Sequence, residues 1–135
     1  LHEADLSGAD LRMANLSGAK GIRTAREFLM ALEKDDLGYI VYKRIGATKY
    51  IAPAHWEISL NNFICEVVNP LPTLDCACGV NFGTLHWCKT NYTKSDLWEC
   101  RIRYEDLADV VVPYNTDGKA RCSRLELLEI IEKGE

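Results

Sequence analysis

Hydrophobic and polar positions change their period along this chain, and the changes divide it into three segments. From Leu1 to Arg23 the spacing is five: Ala4-Asp5-Leu6-Ser7-Gly8, Ala9-Asp10-Leu11-Arg12-Met13 and Ala14-Asn15-Leu16-Ser17-Gly18, then the degenerate Ala19-Lys20-Gly21-Ile22-Arg23. A helix repeats about every 3.6 residues and a strand every two, so this spacing fits neither. It predicts a four-sided coil, one unit per side, with Ala and Leu inward and Asp, Asn or Ser outward. Thr24-Ala25-Arg26-Glu27 then forms a capping box and predicts a capping and linking helix over 24–37. Phe28, Leu29, Leu32 and Leu37 are its apolar stripe, Glu33-Lys34-Asp35-Asp36 its solvent side and Gly38 its stop.

From 38 to 135 the pattern predicts a mainly β domain. Strands are expected at 39–45, 49–52, 56–60, 63–68, 97–104, 110–114, 119–125 and from Leu125 to about Leu128. Asn61-Asn62 reads as a turn, and Asp117-Gly118 as a hairpin that pairs the last strand with Val110–Val112. Pro70, Pro72 and Asp75 mark a loop leading to Cys76-Ala77-Cys78-Gly79-Val80-Asn81-Phe82-Gly83-Thr84-Leu85-His86-Trp87-Cys88. Thr84 is placed to cap a short helix over 84–91, and Tyr104 to Ala108 reads as one helical turn. The fold class is α+β: a repeat stub (1–23), a linking helix (24–37) and a mainly antiparallel β domain (38–135).

Composition narrows the function. With 135 residues, 47% of them hydrophobic, the chain supports one core and not two full domains. A net charge of -4 with sixteen scattered Lys and Arg argues against a general nucleic-acid surface. No apolar run approaches the roughly 20 residues that span a bilayer, and no charged-then-apolar leader opens the chain, so no membrane association is expected. The reading is a soluble, intracellular protein whose six cysteines are reduced thiols. The chain starts within its repeat, and this reads as a fragment of a longer protein.

The Ala-(Asp/Asn)-Leu-Ser-Gly units resemble the pentapeptide-repeat family, which implies a right-handed quadrilateral β-helix for 1–23. DNA mimicry in that family needs a long acidic rod, and one coil bearing Glu3, Asp5 and Asp10 against Arg12 and Lys20 does not supply it. Further on, Gly38-Tyr39-Ile40-Val41-Tyr42-Lys43, then Cys78 to Leu85, then Val111-Val112-Pro113-Tyr114 with Asp117 to Cys122 form an ordered set. That order resembles an uncharacterised C-terminal domain found mainly in bacteriophage proteins, over roughly 38–130. The resemblance implies a phage source, action in the host cytoplasm or association with the virion, and no established activity. Asn81 stands where many relatives carry His, so no acid–base role is implied there.

Four functions are weighed. The first is a non-catalytic binding or assembly module, with a protein partner or self-association. The second is binding of a small anion or nucleotide, such as a host signalling nucleotide held by sequestration. The Gly79–Thr84 turn opens a helix N-terminus, which favours negative charge. Its candidate ligand-facing set is Tyr42, Lys43, Gly79, Asn81, Gly83, Thr84, Trp87, Lys119 and Arg121, with Trp87 or Tyr42 stacking on a base. The third is structural zinc on Cys76 and Cys78 with His86, Cys88 or Cys100. Cys-x-Cys spacing suits this poorly, and strand cysteines at 65, 100 and 122 read as small buried hydrophobes. The fourth is an ADP-ribosyltransferase-like enzyme, to whose fold the strand, Gly-rich turn, helix and hairpin order is faintly similar. His86 and Cys88, two apart on a helix, face different ways, and no catalytic pair is named. Binding without catalysis or cofactor is the reading adopted.

Overall fold

A computed structural model describes residues 24–46, 51–91 and 94–134. Its elements are α1 (Ala25–Met30), β1 (Gly38–Ile45), β2 (Phe63–Cys65), β3 (Val80–Gly83), α2 (Leu85–Thr90), β4 (Asp96–Arg103), a 3-10 helix (Tyr104–Asp109), β5 (Lys119–Cys122) and β6 (Arg124–Glu132). The strands form one six-stranded sheet in the order β2-β6-β4-β1-β3-β5, and every pairing in it is antiparallel. This mainly antiparallel sheet with short helices is α+β. Among the described residues no helix is long and apolar enough to cross a membrane.

Only Ser123 separates β5 from β6, yet they lie four strand positions apart in the sheet order. In a flat sheet that separation is roughly 19 Å at about 4.8 Å per strand. One intervening residue bridges at most about 7 Å. The sheet is therefore rolled, and β5–β6 is one long bent strand that pairs with β3 by its first half and β4 by its second. Residues opposed across a ladder share a face, so the pairs Val41↔Cys100, Cys100↔Leu127, Val80↔Cys122, Phe82↔Ala120 and Ile64↔Leu125 mark the inside. All of these side chains are buried. Phe28 of α1 reaches them, its ring edge-on to Phe82 with centroids 6.2 Å apart, and Trp56, Leu107 and Val112 pack on the same core.

The capping box forms as the sequence predicts: Glu27 N–H donates to Thr24 Oγ1 at 3.0 Å and Thr24 N–H to Glu27 Oε1 at 2.9 Å. The helix, however, stops at Met30 and not near residue 37. The Asp35 carboxylate takes the N–H groups of Leu37 and Gly38 at 2.9 and 3.0 Å, offering the backbone a turn in place of a helix. Gly38 is the first residue of β1, and not a helix stop: a Cβ there would sit 1.9 Å from the Ile102 carbonyl oxygen. The repeat coil of residues 1–23, whose open end this helix is expected to cap, lies outside the described residues.

Several strand expectations change, and the strand expected over 63–68 ends at Cys65. Segment 56–60 is a loop, because Trp56 N–H closes a turn on the Pro53 carbonyl at 3.1 Å. The 49–52 strand lies partly outside the described residues, and 51–52 is not extended into a ladder. From 110–114 only Val111 pairs, in a single bridge to Arg121. The last strand is a strand, as expected, but its partners are β4 and β2, since the rolled sheet carries it away from Val110–Val112.

Outside the roll, charges are matched. Glu126, with its side chain 6% exposed, accepts from Arg101 Nε at 2.9 Å and Arg103 Nε at 2.6 Å, and Arg101 also reaches Asp35 at 2.7 Å. Hydrogen bonding from Arg103, and then from Arg101, pulls the Glu126 carboxyl down to about 2. Relative to an ordinary glutamate this is worth about 3 kcal/mol. A depressed carboxylate stabilises the fold above its unfolded pKa and loses that contribution as pH falls through the folded value. Wild type should therefore lose about 3 kcal/mol between pH 5 and 2 in urea titrations. Glu126→Gln should be weaker by a similar amount at pH 7 and lack that acid-dependent step.

Candidate functional site

β1 pairs with β4 along all eight of its residues, but with β3 it registers only at Tyr42↔Gly83. Beyond that pair the two strands separate, and a cavity of about 580 Å³ opens between Lys43–Gly46 on one side and Gly79–Phe82 on the other. Of the residues singled out from sequence, Lys43, Gly79, Asn81, Trp87 and Lys119 line this slot, as do Cys76, Cys78 and Cys88.

Lys43 alternates with Val41 and Ile45 on the inward row of β1 and lies opposite Trp98, all three of them buried. Its Nζ donates to the Asn81 carbonyl at 2.5 Å, across the gap where ladder hydrogen bonds have stopped, and lies 5.4 Å from the Trp56 ring centroid. Among the described residues no carboxylate comes within ion-pair distance of it. Desolvation holds its pKa below the usual lysine value. The Asn81 amide nitrogen donates to the carbonyls of Ala77 and Gly79 at 3.4 and 3.3 Å, which orients the side chain. Asn81 Oδ1 is buried and has no hydrogen-bond partner among the described residues. Trp56 is held by Nε1–H to the Cys65 carbonyl at 3.0 Å, and Glu66 on the slot wall pairs with His55 at 3.0 Å.

Arg121 does not face the slot. It is fully buried, and its guanidinium donates to three carbonyls, those of Asn69 (2.9 Å), Leu71 (2.7 Å) and Leu74 (2.9 Å). The fixed fork of donors suits such convergent carbonyls, and it ties down the loop that leads into the Cys76–Gly79 wall. Asn69 N–H to the Cys78 carbonyl at 2.8 Å closes the same loop. Gly79 has φ 143°, where a side chain would be strained.

The Gly-Thr corner also has a different role from the one expected. Thr84 caps α2 through Trp87 N–H at 3.2 Å, and Trp87 lies against Gly83 and Gly118, where a Cβ would come within 2.8 and 2.9 Å of it. Gly83 and Thr84 thus seat Trp87 and do not line the slot. Tyr42 also falls outside it, on the outer row opposite Glu99, where burial and then the Glu99 charge raise its pKa.

The zinc set is not brought together: among the described residues no group of three or more His, Cys, Asp or Glu could hold a metal ion. Cys88 and Cys100 are buried and Cys76, Cys78 and His86 exposed. Burial pushes the thiols up, Cys88 to about 11 and Cys122 to about 12, and Cys100 in the same direction. Cys100 and Cys122 are small buried hydrophobes as expected, whereas Cys65 on the short β2 is exposed.

Sequence reasoning missed Trp56 and Glu66, reading both as strand positions. Pro53 three residues before Trp56 was the available turn signal. Arg121→Met should cost about 2–4 kcal/mol in chemical denaturation, since it removes three hydrogen bonds from a charged donor. Amide exchange should accelerate in 69–79 while β4 stays protected.

The family model described as "Pentapeptide repeats (8 copies)" matches residues 1–24, which bears out the period-five reading of the N-terminal segment. The slot lies wholly outside that match. No curated protein and no solved structure matches the chain.

Proposed function

We propose that the β domain is a binding module that takes a small anionic molecule into the slot between β1 and β3, without turning it over. The observation that carries this reading is a pair of unmet needs on the two strands that border the slot: on β1 Lys43, with no carboxylate in ion-pair distance among the described residues, and on β3 Asn81 Oδ1, a buried acceptor with no donor among them. A ligand bearing an acidic oxygen for Lys43 and Lys119, and an N–H or O–H for Asn81, meets both. Buried polar groups normally have partners, so each is worth most when the ligand arrives. The cavity's size falls within the ~300–1,000 Å³ of small-molecule sites. Trp56 and Trp87 add aromatic surface for a flat group, so a nucleotide belongs to this class. Sequestration of a host signalling nucleotide is the role that fits such a site, and the phage source that the resemblance implies would set it in the host cytoplasm. A protein partner or self-association has no comparable observation behind it.

The test is isothermal calorimetry with inorganic phosphate and a panel of nucleoside mono- and diphosphates. Saturable one-to-one binding is expected for at least one of them, and Lys43→Met or Asn81→Leu should weaken it at least about tenfold by leaving the other wall groups unmatched. Binding that ignores both substitutions would sink the proposal. Lys43→Met should also raise stability at pH 7 by about 1–3 kcal/mol, because an unpaired charge in a desolvated place gives way to an apolar side chain. With the lysine pKa lowered on folding, charging it destabilises the fold as pH falls. The advantage of the variant should accordingly shrink as pH rises toward 10, read by urea denaturation.

A further inference from the structure

We infer that Lys43 is a carbonyl-reactive amine: the slot captures an aldehyde or ketone that carries an anionic group, forming an imine on Nζ while Lys119 holds the anion. This rests on the slot being a ligand site, as proposed above. Lysines become nucleophiles at neutral pH when they are desolvated or set beside another cation, and Lys43 meets both conditions. It projects inward with Val41 and Ile45, and Lys119 lines the same cavity. Among the described residues, the groups that act on it most strongly are Cys100 of β4, Cys122 of β5, Cys88 of α2 and Lys119 of β5, and the slot's carboxylate, Glu66, is paired with His55. Burial keeps the three thiols protonated at neutral pH, so none supplies the negative charge that would hold an ammonium, and Lys119 opposes one. Desolvation moves Lys43 the same way, toward the neutral amine. Its hydrogen bond to the Asn81 carbonyl uses an N–H and directs the amine across the slot without occupying the nitrogen lone pair.

In the step itself the Nζ lone pair adds to the carbonyl carbon, and the carbonyl π pair moves to oxygen, which takes a proton from nitrogen. The resulting carbinolamine loses its hydroxyl with the second nitrogen proton as water, leaving C=N. Two N–H protons and the carbonyl oxygen depart as one water, with no change of oxidation state. The reaction reverses by hydrolysis. A ligand held this way is retained without any further catalytic group.

Pyridoxal 5′-phosphate, an aldehyde bearing a phosphate, is the probe, and its alcohol counterpart pyridoxine 5′-phosphate is the control that cannot form an imine. The whole chain is mixed with one equivalent of aldehyde, reduced with borohydride and mapped by peptide mass spectrometry. Expected is a single secondary-amine adduct on Lys43, at least about tenfold over exposed lysines such as Lys89 and Lys133. Lys119→Met should cut labelling about tenfold through loss of the phosphate contact. Lys43→Met, which the argument above makes a well-folded variant, should abolish it. Label spread over exposed lysines with Lys43 bare would overturn the inference. If the alcohol binds, by quenching of tryptophan fluorescence that Lys43→Met removes, yet the aldehyde leaves no adduct on Lys43, the imine falls while the slot reading stands. If neither probe binds, both fall.

Discussion

One residue, Ser123, joins β5 to β6, and the shape of the domain follows from that continuity. Strands held at opposite sides of a sheet by a single linking residue force the sheet to roll. A rolled sheet has an inside, and alternation along β1, β3, β4, β5 and β6, with its phase shifted at the Ser123 bend, then delivers Val41, Val80, Phe82, Cys100, Cys122, Leu125 and Leu127 to it. The hydrophobic contribution of these side chains depends on the roll, because a flat sheet would leave that face open to water.

The same roll sets the limits of the ladders. β1 is saturated by β4 along its length but meets β3 at one register pair, so the seam between β1 and β3 is where the closed surface parts. Two electrostatic regimes result. On the outer surface Arg101, Arg103, Asp35 and Glu126 satisfy one another, and the network stabilises the fold. On the inner row Lys43 has, among the described residues, a carbonyl and an aromatic face in place of a counter-ion. A position that costs stability and is offset elsewhere in the fold is the common signature of a binding site.

Around the seam, residues that look chemical in sequence turn out to divide between wall and support. Arg121 holds the 69–74 carbonyls, and Gly83 and Gly118 make room for Trp87. Asn81 does both kinds of work: its amide nitrogen bonds the turn carbonyls of Ala77 and Gly79, and its oxygen has no partner among the described residues. A buried cation on three carbonyls is as specific an arrangement as a ligand site. Its effect is to fix the loop that forms one side of the slot.

What was legible in the sequence is what short-range chemistry controls. The Thr24–Glu27 capping box, the Thr84 cap, the turn at Asn61 with φ 62°, and the strands β1 and β4 all depend on neighbours within a few residues. The period-five segment was legible for the same reason. Lys43 was legible as one of the basic residues for the ligand-facing set, and the Cys76–Cys88 stretch marked one wall of the slot. Only the tertiary structure decided that β6 pairs with β4, that Trp56 turns in from a loop, that Arg121 meets carbonyls and that the cysteines do not converge. Periodicity assigns a side chain to a face. Which strand covers that face, and what lies at the end of a long side chain, depends on pairings between residues far apart in sequence, and local pattern carries no term for them.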